Sequence, residues 1–555
     1  MRYWVSLRFL LSTFVFTIIL FSRNFMSSGG DRLAAFLGTR GLNVDKRHDT
    51  FLGFGGLLEE GYYDEGSCTS KRESTLYRKP SLHEPSTYLV SRLRKYESMH
   101  RKCGPNTQNY YQALKLLSSN NSGSGVNYQN FEDCKYLVWI PRSGLGNKLV
   151  SLVSTFLYAL LTTRVLLIDQ QVSMEGLFCE PFKNTTWILP SDFPLRSEFG
   201  GFRHGSPYSY GRIILNKMNT NASSFVYLHV SFDSDDLDML LFCKEYQIPL
   251  QKVPWLVIRS DQYFAPSLFL TPTFDEELEN LFPKKDTVFH HLGRYLFHPS
   301  NEVWGLIKRY YDAHLADAKE RIGIQIRDFA TTPMGFGRMK KHIFRHYLPQ
   351  FAHDESIVRQ IEDICNVTSL DRHMMDRVVS CFLERKLLPN VRNPNLATMN
   401  ISNEDQTIRS KAVLVTSLSS SYYKNISEMY RDILGVFQPS NEGVQKSGKS
   451  THNMKAWAEI YLLSLMDELI TTPFSTFGYV ARGLGGKRAW MVNGPHREME
   501  ANEPSCIQVT SMEPCFHNPP SNYHCNFETR SMVPNYVQHC EDLKWGLKLV
   551  DVHNH

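Results

Sequence analysis

No two cysteines form a C-x-x-C pair anywhere in the 555 residues, and no His, Asp or Glu cluster takes up metal-ligand spacing. The common zinc frameworks are therefore missing. There is no arginine-rich run and no recognisable nucleic-acid module, and the net charge is only +5. Nucleic acid is not an expected partner. Familiar phosphate-loop patterns fail as well. In "PRSGLGNKLV", Pro141 to Val150, Leu149 stands where a dinucleotide fingerprint needs its third glycine, and Pro141 stands where a P-loop needs its first. Spacing alone makes this stretch a tight strand-to-helix turn, with either no ligand or an anion at the helix start.

Long apolar runs are confined to one place, Trp4 to Phe21, where the run is broken by Arg8 and small hydroxyls. Its uninterrupted part, Phe9 to Phe21, is short for a span, but Arg8 can snorkel to the interface and let the span start earlier. A cleaved signal peptide is the alternative, and "SRNFMSSGG" offers no clear small-x-small site after the run. The expectation is an uncleaved signal anchor over 1–23, with the rest of the chain in the lumen. Six N-x-Ser/Thr sequons agree with that compartment, at Asn120, Asn184, Asn221, Asn366, Asn400 and Asn425. So do eleven cysteines, none of them in the apolar run. Four crowd the end, at Cys506, Cys515, Cys525 and Cys540, and read as disulfides stapling a loop-rich tail.

Hydrophobic residues at 42% fit a large folded core. Residues 24–130 are polar and irregular, and read as a lumenal stem ending in a linker. "KYLVWI", the glycine turn, "NKLVSLVSTFLYALLTT" and "RVLLID" form a strand, turn, helix and strand, hence a βαβ unit and a parallel sheet. The pattern returns with strands in "RIGIQIRDF" and "KAVLVTSL", a long helix in "NMKAWAEIYLLSLMDELITT", a polar turn and helix in "PFSTFGYVARGLGG", and a last strand in "KRAWMV". Two α/β halves follow, 131–318 and 319–555. The second carries a Cys-rich tail whose "CEDLKWGLKLV" is expected to be a docking helix.

Ligands of α/β sheets sit beyond the carboxyl ends of strands. Three turns occupy such places: Gly144–Asn147, the end of "GIQIR" at Arg327, and "PFSTFG", Pro473 to Gly478. An arginine there can fork onto a phosphate, and a helix start bearing Ser475 and Thr476 can take another oxygen. Equally, Arg327 can pair with a carboxylate, and Ser475 or Thr476 can cap the helix. Asp261 in "RSDQYF" is either an acid/base or sugar-orienting group or a turn residue. His290, His291, Arg294 and His298 lack companion ligands, and Ser231–Asp238 reads as an acidic loop rather than a metal site.

The stretches "GLGNKLVSLVSTFLYALLTTRVLLID", "LFCEPF", "SDQYF", "HLGRYLFHP", "IGIQIR", "KAWAEIYLLSLMDELITTPFSTFGYVARGLGG" and "HCEDLKWGLKLV" closely resemble, in order, the plant xyloglucan-type fucosyltransferase family. The resemblance implies a GT-B-like α/β fold with two Rossmann-type halves, behind a membrane anchor and stem. It implies a single-pass type II Golgi enzyme that moves L-fucose from GDP-fucose to O-2 of a galactose, or an arabinose, on a wall polysaccharide or glycoprotein. Configuration is inverted, and neither metal nor cofactor is used. By the same resemblance Arg327 contacts the GDP diphosphate, while Ser475, Thr476, Phe477 and Gly478 build the nucleotide pocket. Gly144, Gly146 and Asn147 face the cleft, letting the diphosphate and departing sugar come close. Asp261 lies near the acceptor as a catalytic or positioning carboxylate. A homodimer is left open as the assembled form. Rival readings are an inactive glycan-binding homologue and a transferase of another nucleotide sugar.

Overall fold

Every residue of β1 (Tyr136–Pro141) is buried. It leads through the glycine turn into α1 (Leu145–Leu161), whose residues are buried from Leu145 to Leu160 save Asn147. Such a chain can only be placed at the centre of something. β2 (Val165–Ile168), β3 (Phe225–Val230) and β4 (Trp255–Ser260) complete a sheet of order β2-β1-β4-β3, parallel throughout. The serines and threonine inside α1 stay buried because Ser151, Ser154 and Thr155 donate back to the carbonyls of Lys148, Val150 and Ser151. The computed structural model describes residues 54–58, 68–119, 134–216, 224–327, 367–389, 410–493, 503–520 and 533–552, all within the unit Gly53–His555.

A parallel sheet needs cover on both faces. On one face Leu137 and Trp139 pack with α1 and with α2 (Val288–Leu296), where Phe156 stacks on Tyr295 at 5.6 Å. On the other, Tyr136, Val138 and Ile140 pack with Tyr110, Ala113 and Leu117 of helix Gln108–Ser119. That helix falls inside the stretch expected to be stem. So does helix Thr87–Cys103, capped by Ser86, whose Leu89, Leu93 and Tyr96 are buried in the core. Disulfides Cys68–Cys179 and Cys103–Cys134 tie both ends of this segment down. Residues 68–119 are thus part of the folded body rather than of a stem over 24–130. Lys95 and Lys102 lie on the outer face of helix Thr87–Cys103, whose inner stripe covers the sheet edge and buries Glu97 against the Tyr295 hydroxyl.

The second sheet gathers β5 (Glu320–Ile326), β6 (Lys411–Ser417), β7 (Gly435–Phe437), β8 (Glu468–Thr471), β9 (Trp490–Val492) and β10 (Cys506–Gln508) in the order β10-β9-β8-β5-β6-β7. Only β10 runs antiparallel. Helix α3 (Ser450–Ser464) precedes β8, and α4 (Thr476–Gly485) follows it. Trp457 and Tyr461 of α3 and Leu484 of α4 belong to the same apolar core as α1 and α2. A Cβ on Gly483 would lie 2.4 Å from Phe289, so the absent side chain is what allows α4 to lie on α2. The two parallel sheets form the α/β, GT-B-like fold anticipated above.

The tail departs from expectation. The strand at 490–492 is not the last, since β10 pairs with it, and "CEDLKWGLKLV" is no helix. It supplies β12 (Leu547–Leu549), paired antiparallel with β11 (Val537–His539). Cys515–Cys540 staples that hairpin, while Cys381–Cys506 joins β10 to helix Val367–Glu384. Nor does the tail stay with the 319–555 half. Glu513 accepts from Phe289 N at 2.8 Å and from the Tyr263 hydroxyl, and Asn518 donates to Ser231 O at 3.2 Å. Cys365 and Cys525, the apolar run at Trp4–Phe21, and four sequons (Asn120, Asn221, Asn366, Asn400) lie outside the described residues, whereas Asn184 and Asn425 are exposed. Among the described residues no helix is long and apolar enough to cross a membrane.

Cys381 and Cys506 are both fully buried and 125 residues apart. Replacing both by alanine is expected to cost about 2–5 kcal/mol of unfolding free energy. Chemical denaturation under non-reducing conditions measures it, and an unchanged midpoint would show that the link is energetically idle.

Candidate active site

β1 lies between β2 and β4, and β5 lies between β8 and β6. At both strands the connections leave toward opposite sides, which opens a crevice at the carboxyl end. Gly144 follows β1 and Arg327 follows β5, so each falls at such a point. The two crevices meet. A Cβ on Gly146 would sit 2.4 Å from Thr476 Oγ1 and 3.0 Å from the Thr476 backbone carbon. A Cβ on Gly144 would sit 2.7 Å from Gln445 Nε2. Gly146 is therefore required by the approach of the second half to the first, because Thr476 backbone stands against it, whereas at Gly144 only the end of the Gln445 side chain would have to move. Asn147 fastens the contact, accepting from Thr476 Oγ1 at 3.2 Å and donating to Asp261 O at 3.2 Å. Two helix N-termini, of α1 and α4, converge here. Neither N-cap, Gly144 or Ser475, makes a side-chain cap bond. Two partial positive ends are thereby brought together, an arrangement that favours an anion between or beside them.

Asp261 stands behind this turn rather than in the open cleft. It is 2% exposed. One carboxylate oxygen accepts from Ser143 Oγ at 2.7 Å, and the other from Ser231 Oγ, Phe232 N and Gln262 Nε2, each at 3.0 Å. Ser143 holds the left-handed conformation, φ 66°, which costs a non-glycine residue on the order of 1 kcal/mol. Its bond to Asp261 offsets that strain. Four donors engage the two oxygens of Asp261, which therefore shapes the turn. A second layer lies alongside. Arg142 forks onto Asp233 at 2.7 and 3.1 Å, and Asp233 meets His229 Nε2 at 3.0 Å. Burial acts to raise the Asp233 carboxyl, but His229 and Arg142 outweigh it and hold the group well below the usual carboxylate range. Arg142, His229 and Asp233 were not singled out from the sequence, and the Asp-x-Asp within Ser231–Asp238 was their only trace.

Arg327 leaves β5 with its backbone N–H bonded to Thr472 Oγ1 at 2.8 Å and its Nη2 on Gln445 Oε1 at 3.0 Å. It lines a cavity at the carboxyl ends of β5 and β6, together with Gln325, Thr416, Ser440, Glu459 and Phe477. Gly478 supports the same wall, since a Cβ there would press to 2.9 Å on Thr471 and 3.1 Å on Gln325 Oε1. Of the expected residues, then, Arg327 and Phe477 face the cavity. Gly144, Gly146, Asn147, Ser475 and Thr476 form the joint beside it, Gly478 backs it, and Asp261 lies behind the joint. Glu459 went unnoticed inside an apolar helix. Burial raises its carboxyl to about 7, with Ser440 opposing, Glu442 adding and Lys455 opposing. Two groupings of metal-ligating type occur among the described residues. Cys515 and Cys540 are spent on a disulfide, and both nitrogens of His229 are engaged, by Tyr227 and Asp233.

Asp261→Asn replaces one acceptor oxygen by a donor facing Ser143 or the Ser231–Phe232–Gln262 trio. The expected loss is about 1–3 kcal/mol of unfolding free energy, from a buried donor left unmatched. Denaturant titration of the variant tests this, and parental stability would mean that the turn does not depend on the carboxylate.

With this geometry the chain can be set beside known proteins. The xyloglucan fucosyltransferase family model matches residues 43–345 and 336–526. A galactoside 2-alpha-L-fucosyltransferase of Pisum sativum is 47% identical over 522 residues, covering 92% of this chain and 83% of that protein. One from Arabidopsis thaliana is 46% identical over 510 residues, covering 89% and 82%. Among solved structures, an Arg-to-Lys mutant of Arabidopsis thaliana FUT1 in complex with GDP superposes with a TM-score of 0.74 at 44% identity, covering 90% of this chain and all of that one. A family model that matches most of the chain, and relatives 46–47% identical over about nine-tenths of it, leave one conclusion: this chain is a member of the xyloglucan fucosyltransferase family.

Proposed function

We propose that this protein is an inverting α1,2-fucosyltransferase, transferring L-fucose from GDP-fucose to O-2 of a galactose, or arabinose, on a plant wall polysaccharide or glycoprotein. The observation that carries the reading is the placing of Arg327 in a cavity beside two convergent, side-chain-uncapped helix N-termini. The names and GDP complex of the similar proteins support the donor and the galactoside acceptor.

In the proposed reaction the acceptor O-2 attacks C1 of fucose from the face opposite the diphosphate. The C1–O bond to the β-phosphate breaks, GDP departs with the electron pair, and the hydroxyl proton passes to water. Charge grows on the leaving diphosphate. Arg327 and the N–H groups at the starts of α1 and α4 are the protein's means of stabilising it, and fixed donors in a partly dry cleft need no reorganisation as charge develops. Asp261 contributes by holding Ser143 and Asn147, hence the joint that closes one side of the cleft. Because positive charge is already supplied by the chain, no divalent metal is assigned a role. A Golgi location, with a single N-terminal anchor and lumenal catalytic part, is part of the same proposal. The apolar run, the sequons and the disulfides support it.

Arg327→Lys keeps the charge but loses the planar fork. Turnover with GDP-fucose is expected to fall about 100–1000-fold with the fold retained. Calorimetric GDP affinity and initial rates check it together, and normal values of both would remove Arg327 from the diphosphate site. Turnover is also expected to survive EDTA unchanged. Loss restored by added manganese or magnesium would overturn the metal-free mechanism.

A further inference from the structure

Tyr479 and His517 meet on the side of α4 turned away from the Arg327 cavity. Phe477 lines that cavity, and Tyr479, two positions on, stands about 200° round the helix from it. The Tyr479 hydroxyl donates to Asp542 Oδ2 and lies 3.0 Å from His517 Nε2. Asp542 Oδ2 also accepts from Phe474 N at 2.8 Å. Phe474 holds φ 56°, the left-handed region, where a bulky residue is a rare outlier. Strain of this kind persists where the surroundings over-determine it, and it gathers at functional sites. Phe474 comes directly before Ser475, the N-cap of α4, so one carboxylate oxygen fixes both the start of that helix and the Tyr479 hydroxyl.

The order of donors in this cluster fixes the histidine. Burial, with Asp542 beside it, pushes the Tyr479 phenol well above its usual range and keeps it protonated. Its single proton goes to a carboxylate, which has none to give, so the phenol oxygen is left to accept from His517 Nε2–H. The neutral imidazole then carries its open lone pair on Nδ1, and Nδ1 makes no hydrogen bond with any described residue. A carboxylate, an orienting hydroxyl and an imidazole in series hold a base in one tautomer. The site is accessible, since His517 is only half-buried. The next residue, Asn518, donates to Ser231 O and Ser234 O at 3.2 and 3.5 Å, which places His517 between α4 and the loop after β3. An inverting transfer keeps the leaving diphosphate and the attacking hydroxyl on opposite faces of the sugar. The flank of α4 away from Arg327 is where that hydroxyl must lose its proton.

We infer that His517 Nδ1 is the terminal acceptor of the acceptor-hydroxyl proton in the transfer reaction, with Tyr479 and Asp542 as the residues that position it. As O-2 bonds to fucose C1 and the C1–O bond to the β-phosphate breaks, the O-2 proton passes to the water, and from that water a proton passes to Nδ1. The imidazolium releases it to solvent once the products have left. Asp542, from the turn between β11 and β12, and Asp261, after β4, are the charged groups that face the ring, while Arg482 of α4 lies over the Tyr479 ring at 4.7 Å. Burial holds the imidazole below its usual range, and the two carboxylates act against burial, so it is neutral near pH 7 and its charged form is still supported. This inference rests on the transferase reading above, which it deepens.

A pH–rate profile tests it. In the detergent-solubilised full chain, with GDP-fucose and a galactose-bearing xyloglucan oligosaccharide, kcat/KM should fall about tenfold per pH unit on the acid side of the imidazole titration, below about pH 6.5, because a protonated ring accepts nothing. His517→Gln keeps a donor for Tyr479 and removes the basic nitrogen. Its turnover should drop about 100-fold or more and its acid limb should vanish, with calorimetric GDP affinity within about threefold of the parent's. Tyr479→Phe should lose about tenfold in turnover and retain the limb at lower pH, because the imidazolium loses its link to Asp542. A His517→Gln protein that binds GDP and keeps the parental rate or acid limb overturns the assignment. Should that variant not fold, the other two proteins decide: a parental rate flat down to about pH 5, or a limb that Tyr479→Phe leaves in place, overturns it. Absence of fucose transfer by the parent removes the transferase reading as well, whereas transfer at a pH-independent rate removes this inference alone.

Discussion

The contact of Gly146 with Thr476 is the point on which the rest of this molecule turns. It brings the starts of two helices, from different sheets and 329 residues apart along the chain at the Asn147–Thr476 bond, to van der Waals distance. Any side chain at position 146 would wedge them apart, because the nearest atoms include Thr476 backbone. The contact has an electrostatic consequence. Like partial charges at two helix N-termini repel, and the repulsion is relieved by an anion. A leaving diphosphate is such an anion, at the moment when its charge is greatest. The same joint that makes one body of the two halves thus prepares the field the proposed reaction needs.

Holding that joint requires buried charge. Asp261 is surrounded by donors drawn from the Gly turn, from the loop after β3 and from its own neighbour, so one carboxylate organises three segments at once. Beside it, Arg142, Asp233 and His229 form a second, self-satisfied set. Buried ionic groups of this kind are costly unless fully paired, and here the pairing is nearly complete. In the neighbouring cavity it is not, since Gln325 and Thr416 present buried atoms without hydrogen-bond partners among the described residues. The contrast between a saturated joint and an unsaturated cavity separates the scaffold from the place where a ligand belongs.

Much of the secondary structure could be read directly. The apolar runs at 136–141, 165–168, 320–326 and 411–417 are strands, and the helix periods at 145–161 and 450–464 are helices. Failures cluster where the deciding partner is remote. Helix Thr87–Cys103 looks polar in isolation, and its buried stripe of Leu89, Leu93 and Tyr96 matters only once a sheet edge lies beneath it. The segment ending in Leu547–Leu549 reads as a helix on its own, yet pairing with Val537–His539 makes it a strand. Short apolar segments carry too few periods to choose between the two, so the available neighbour chooses.

The sequence by itself determined the strand and helix runs, the α/β class, the family through its ordered motifs, and the three turns at strand ends where a ligand belongs. Those properties depend on residues within a few turns of one another, where periodicity and side-chain chemistry act without the rest of the chain. Only the tertiary structure decided what each residue faces. It set Gly144 and Gly146 against protein, placed Asp261 behind the joint with both oxygens occupied, and carried Glu459 to the cavity that Arg327 enters. Strand order in two sheets brings together groups more than a hundred residues apart, such as Ser143 and Asp261 at a separation of 118. That order follows from burying all the apolar faces at once, a global condition that no local stretch contains.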